Sequence, residues 1–308
     1  MDATPKIRVI RSAREMQRAA DEIRSSGRRI AFVPTMGYLH EGHASLLRRG
    51  RALGDVLVLS IFVNPTQFGA GEDLDRYPRD FERDHALAER ELTDIIFYPD
   101  TKDMYPAGYQ TEVRVQKVSA PLCGLSRPVH FAGVATVCTK LFNIVKPHVA
   151  VFGEKDFQQY LVIDRLVRDL NLDLEIVPHP TVREPDGLAM SSRNVYLTPE
   201  EREQAVALNA ALQIAKRLVD AGERRTAAVM AAIDEELAKA PLGRLDYAEA
   251  RSLPDLDEVG ENIKGPTLLA LAVFFSRARL IDNVVLLREQ WNSAPDAQGG
   301  QPAAGANS

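Results

Sequence analysis

Arg29-Ile30-Ala31-Phe32-Val33-Pro34-Thr35-Met36-Gly37-Tyr38-Leu39-His40-Glu41-Gly42-His43 changes character partway along. Arg29 to Val33 reads as a first strand, and Ala44 to Ala52 then carries apolar residues at helical spacing. Val56 to Val63 follows as a continuous apolar run, the pattern of a parallel strand covered on both faces. Together these make one β-α-β unit. Further strands are expected at Ile95 to Tyr98, Val149 to Phe152 and Leu174 to Val177, with helices at Asp80 to Glu91, Val134 to Val145 and Phe157 to Leu170. Such alternation predicts an α/β fold with a Rossmann-like, doubly wound parallel sheet.

Beyond Val182 the texture changes. A polar loop to Asn194 leads into alanine-rich helical stretches at Pro199 to Ala221 and Thr226 to Ala240. Strand-like segments follow at Leu245 to Ala250, Thr267 to Phe275 and Ala278 to Leu287. The expected division is a first domain over 1–182, a smaller α+β domain over 183–290 closing over the site, and a disordered tail over 291–308 that lacks apolar residues to order it. There is no internal repeat. With 308 residues the chain exceeds the usual size of one domain, in keeping with two.

A net charge of −5 supplies no global positive field, so a nucleic-acid partner is not expected. No apolar run approaches the roughly 20 residues that span a bilayer, so no membrane partner is expected either. Met1 to Arg14 mixes acids and bases without an apolar core, which is not the pattern of a signal peptide and implies a cytoplasmic protein. Cys123 and Cys138 have no second thiol at metal or redox spacing and read as buried free thiols.

Four segments carry candidate chemistry. The first, Pro34 to His43, sits between a strand and a helix, at the carboxyl edge where open α/β sheets bind ligands and where the helix amides favour phosphate. His40 and His43, three residues apart, can turn both rings to one side and donate to phosphoryl oxygens. Two other readings stay open: the pair merely caps the helix, or it ligates zinc, although no third ligand stands at recognisable spacing. The second segment, Ser60 to Phe68, aims Asn64 and Gln67 at the same crevice, where neutral amides suit a substrate with hydroxyl and carboxylate groups. Asn-Pro can equally be a plain turn. The third, Phe152-Gly153-Glu154-Lys155-Asp156-Phe157-Gln158-Gln159, places a phosphate-neutralising Lys155 and a helix-capping or ligand-binding Asp156 at another strand–helix junction. The fourth is the loop Asp186-Gly187-Leu188-Ala189-Met190-Ser191-Ser192-Arg193-Asn194, whose Arg193 offers a fork-shaped cation.

His-x-Gly-His after a first strand resembles the signature of the nucleotidylyltransferase and class I synthetase superfamily, which implies AMP chemistry. The Met190 to Arg193 loop resembles the mobile Met-Ser-Lys-type loop of those synthetases. In this order the four segments, with Tyr77-Pro78-Arg79, Arg127-Pro128-Val129-His130-Phe131 and Arg279-Leu280-Ile281-Asp282-Asn283, resemble the pantothenate synthetase family from the first strand to about Leu287. Val129 stands where the family more often has a small residue, and Glu82-Arg83-Asp84 where some relatives have consecutive aspartates, which leaves Asp84 to carry any acidic contact to metal or nucleotide.

The resemblance implies an ATP-dependent, AMP-forming condensation of pantoate with β-alanine through a pantoyl adenylate. ATP with Mg²⁺ would lie across Met36, Gly37, Tyr38, Leu39, His40, Glu41, Gly42 and His43, then Gly153 to Asp156, Val182, and Met190, Ser191, Ser192 and Arg193. Pantoate and β-alanine would meet Gln67, Gln159, Asn64 and Arg127. His43, His40, Lys155 and Arg193 would stabilise transition-state charge, with His43 as proton donor; the direct metal ligands are left unassigned. A homodimer is implied as well. The competing functions are an AMP transfer onto a phosphate ester, which explains neither the paired glutamines nor the second domain, and a non-catalytic nucleotide sensor.

Overall fold

The computed structural model describes residues 6–293; the expected tail beyond them, 294–308, lies outside the described residues. Six parallel strands form the main sheet: β1 (Arg8–Ile10), β2 (Ile30–Thr35), β3 (Val56–Ile61), β4 (Ile95–Phe97), β5 (Val149–Gly153) and β6 (Glu175–His179). Their order is β1-β4-β3-β2-β5-β6. From β2 the chain builds outward through β3 and β4 on one side and through β5 and β6 on the other. The loops after β2 and β5 therefore part at the switch point, where such sheets open a ligand crevice. All of β3 is buried, which is why its sequence is apolar without alternation.

Helices α1 (Ala13–Ser25), α2 (Glu41–Arg51), α3 (Phe81–Arg90), α4 (Thr101–Met104), α5 (Cys123–Ser126), α6 (His130–Val145) and α7 (Phe157–Asp169) surround this sheet. After β6 come α8 (Pro199–Ala205), α9 (Ala207–Asp220) and α10 (Thr226–Leu237). An antiparallel sheet then follows, of β7 (Arg244–Ser252), β8 (Asp257–Glu258), β9 (Thr267–Phe275) and β10 (Ala278–Leu286) in the order β10-β9-β7-β8, with α11 (Arg288–Ser293) last. Among the described residues no helix is long and apolar enough to cross a membrane.

β9 divides its side chains between two hydrophobic layers. Leu268 and Ala270 join the core of α1, α6, α7 and the parallel sheet, while Leu269, Leu271, Val273 and Phe275 join a second core with α9 and α10. Successive residues of a strand point to opposite faces, so a strand covered on both sides must be apolar at nearly every position, as this one is.

Several boundaries differ from the sequence reading. The strand read over Arg29 to Val33 is the second, Ile30–Thr35, because β1 precedes it as an edge strand of only three residues. The helix read over Pro199 to Ala221 breaks at Val206 into α8 and α9, α8 starting with a Thr198–Glu201 capping box. The segment read as tail from 291 begins inside α11, where Trp291 is buried with its ring 6.5 Å from that of Phe157.

Candidate active site

The loop after β2 is turned by two consecutive left-handed residues, Gly37 at φ +82° and Tyr38 at φ +52°. A side chain at Gly37 would be strained by that φ and would meet Asp84 Oδ2 at 2.9 Å. Asp84, almost fully buried on α3, accepts the amides of Tyr38 at 2.8 Å and Leu39 at 2.6 Å. Burial pushes its carboxyl up from the usual range, and the two amide donors work against that rise. Asp84 thus fastens the turn from behind.

So held, the chain enters α2 with both histidines at its cap. His40 Nδ1 accepts the Gly42 amide at 3.1 Å, and His43 Nδ1 accepts the His40 amide at 3.3 Å. An accepting Nδ1 carries no proton, which in a neutral ring leaves the hydrogen on Nε2. Burial, then Lys155 and Arg83, brings His40 down to about 4, and burial, then His40 and Lys155, holds His43 well below its ordinary value. Both rings are thus neutral Nε2–H donors, centroids 4.1 Å apart, on the wall of one cavity. Capping and facing the cavity are compatible. Among the described residues no group of three or more His, Cys, Asp or Glu is placed to hold a metal ion.

That cavity, of about 690 Å³, is within the size range of small-molecule sites. Of the sequence candidates it is lined by Met36, His40, Gly42, His43, Asn64, Gln67, Arg127, Gly153, Lys155, Asp156, Gln159, Val182, Met190, Ser191, Ser192 and Arg193. Five others do not line it. Glu41 is exposed and pairs with Arg48, and Glu154 is buried against Arg288. Leu39 is core, and the Tyr38 amide, like that of Leu39, belongs to Asp84. Gly37 donates its amide to Thr35 Oγ1 at 3.2 Å.

Asn64 lines the cavity, and its amide is engaged within the fold. Oδ1 accepts from Thr66 Oγ1 at 3.0 Å and the Tyr105 hydroxyl at 2.8 Å, while Nδ2 donates to Gln67 Oε1 at 3.2 Å and Gly133 O at 3.1 Å. It holds the turn that presents Gln67, whose Nε2 donates to the Met36 sulfur at 2.9 Å. His130 Nδ1 donates to the Gln67 carbonyl at 3.0 Å, and burial, then Arg127, brings its ring down to about 4.

On α7 the two glutamines part company. Both touch the cavity wall, but Gln158 is buried and spends its amide on the backbone, taking the Cys123 amide at 3.1 Å and donating to Val118 O and Pro121 O, whereas Gln159 is only partly buried. Lys155 Nζ stands 3.7 Å from Asp156, and Ser192 Oγ donates to Tyr38 O at 3.3 Å, tying the interdomain loop to the turn after β2. Arg193 donates to Asp73 at 2.9 and 3.0 Å, and Arg127 Nε to Glu72 at 2.9 Å. Glu72, Asp73 and His130 escaped the sequence reading as site residues; an acidic pair just after Gly69-Ala70-Gly71 was the available signal.

Comparison with known proteins gives one family. The family profile described as Pantoate-beta-alanine ligase matches residues 8–285. A pantothenate synthetase of Syntrophus aciditrophicus is 54% identical over 283 residues, covering 92% of this chain and 99% of that one. The one from Desulfatibacillum aliphaticivorans is 57% identical over 278 residues, covering 90% and 99%. Among solved structures, a pantothenate synthetase from Thermus thermophilus superposes with a TM-score of 0.85 at 43% identity, covering 90% of this chain and 99% of that one. A Francisella tularensis pantoate-beta-alanine ligase, complexed with beta-gamma ATP and β-alanine, gives 0.75 at 32% identity, covering 91% and 97%. With likeness of this degree running from β1 to β10, the chain belongs to the pantoate–β-alanine ligase family.

Proposed function

We propose that this chain condenses D-pantoate with β-alanine at the expense of ATP, giving pantothenate, AMP and pyrophosphate through a pantoyl adenylate. The observation that carries the reading is the convergence of four separate loops on one cavity, which gathers His40, His43, Lys155 and Arg193 opposite Gln67 and Gln159. The triphosphate lies along the first four, and pantoate between the glutamines. Met36, Gly42, Gly153, Asp156, Val182 and Met190 to Ser192 complete the nucleotide site, and Arg127 faces a substrate carboxylate.

In the first step a pantoate carboxylate oxygen attacks the α-phosphorus and the bond to pyrophosphate breaks. Charge builds on phosphoryl oxygens at that moment, and the neutral imidazoles donate through Nε2–H while Lys155 and Arg193 supply positive charge. In the second step the β-alanine amine attacks the activated carbonyl carbon; the C–O bond to AMP breaks and the amine gives up a proton. No protein nucleophile takes part. Mg²⁺, when bound with the triphosphate, would supply further positive charge beside Lys155 and Arg193. The unit from Arg183 onward covers this site, and the working form is a cytoplasmic homodimer.

Incubating the protein with Mg²⁺-ATP, D-pantoate and β-alanine tests this reading. AMP and pyrophosphate should appear only with pantoate present, and pantothenate only when β-alanine is added. AMP release that ignores pantoate defeats the proposal.

A further inference from the structure

Arg193 and Arg127, both on the cavity wall, are already holding anions, and the anions belong to the protein. Asp73 takes two hydrogen bonds from Arg193, at 2.9 and 3.0 Å, and its neighbour Glu72 takes two from Arg127, from Nε at 2.9 Å and from Nη2 at 2.5 Å. All four side chains line the cavity, each no more than a quarter exposed. A guanidinium presents the same fork to a carboxylate as to a phosphate, so an internal carboxylate and a ligand anion are alternatives for one set of donors.

The segment that carries the two acids is built to be displaced at one end and tethered at the other. Before it, Gly71 sits at φ +83° with open space where a side chain would be. After it, the Arg76 carbonyl accepts from the Tyr196 hydroxyl at 2.8 Å, and the Tyr77 ring lies 5.8 Å from the Arg193 guanidinium.

We infer that Glu72 and Asp73 act as a built-in anion clasp: they occupy Arg193 and Arg127 until triphosphate and substrate carboxylate replace them. Because the two acids are adjacent, lifting Asp73 from Arg193 loosens Glu72 on Arg127, so nucleotide and acid favour each other's binding. The inference rests on the proposed placement of phosphate at Arg193 and of a carboxylate at Arg127.

Titration calorimetry with a non-hydrolysable Mg²⁺-ATP analogue, with and without pantoate, tests it on the full chain. Asp73→Asn should bind the analogue roughly twofold to fivefold more tightly than the parent, the range of a partly exposed ion pair. The gain in nucleotide affinity that pantoate confers should shrink in the same variant. Asp73→Ser, with melting temperatures measured alongside, guards against a folding effect peculiar to asparagine. Weaker or unchanged analogue binding in both variants overturns the clasp, since Asp73 would then be orienting Arg193. Arg193→Ala separates the two failures: unchanged analogue affinity there removes the phosphate assignment itself, and the clasp with it, whereas a loss there beside unimproved Asp73 variants removes the clasp alone.

Discussion

His43 does two jobs with two nitrogens: Nδ1 takes the His40 amide, and the ring lies on the cavity wall with its hydrogen on Nε2. Removing one preorganised donor of this kind costs about 3 kcal/mol of transition-state stabilisation, so His43→Ala should lower kcat by about two to three orders of magnitude. Steady-state AMP release from a folded variant measures this, and undiminished turnover removes His43 from the chemistry. The same neutrality sets a pH dependence. His40 and His130 titrate near 4 in the folded chain against 6.5 ordinarily, so above pH 6.5 both states bear neutral rings and nothing is lost. As pH falls from 6.5 towards 4 the unfolded chain takes up protons that the folded one refuses, and stability declines until it levels below 4. His130 alone contributes about 3 kcal/mol to that decline. Urea unfolding at pH 7 and pH 4.5 would measure it, and His130→Asn should flatten the difference. The spacing of the two site histidines made them legible in the sequence. Their tautomers were not, because these depend on which amides the turn brings to each ring. Nor was Asp84's role legible, because its partners lie more than forty residues away in the chain.

The turn after β3 and the start of α6 meet at closer range than the sequence discloses. A methyl at Gly133 would lie 2.5 Å from Thr66 O and 2.6 Å from the Gln67 backbone, none of which is a flexible side-chain end. Gly133→Ala should therefore displace the turn that Asn64 holds, destabilise the protein by about 1–3 kcal/mol, and raise the Michaelis constant for pantoate more than that for ATP. Thermal melting and substrate-dependence curves would show both effects; a neutral substitution would mean the turn yields without disturbing Gln67. Most strands and helices were legible because burial on two faces or one writes directly into hydrophobic spacing. β1 was missed since Arg8-Val9-Ile10 is too short to show a period and draws its order from pairing with β4. The break at Val206 was missed because the alanine-rich pattern continues across it, and only the backbone geometry separates α8 from α9.

The antiparallel sheet is fastened to the rest of the protein through β9, whose two faces serve two cores. Leu271, wholly buried, should cost about 2–5 kcal/mol when cut to alanine, and unfolding should remain one calorimetric transition rather than splitting in two. Two resolved transitions would show that the layers melt separately. The sequence announced a second unit by its change of texture at Val182, but an apolar run like Thr267 to Phe275 reads alike whether its second face meets a helix layer of its own or a neighbouring domain. The consequence reaches traffic through the cavity. Swinging the carboxy-terminal unit outward would bare Leu268, Ala270, Val285 and Trp291 to water, at roughly 25 cal/mol for every Å² uncovered. Any widening of the cavity mouth that keeps those four side chains dry must therefore come from the segments along its rim, 69–77 and 186–194, and not from the carboxy-terminal unit moving as a body.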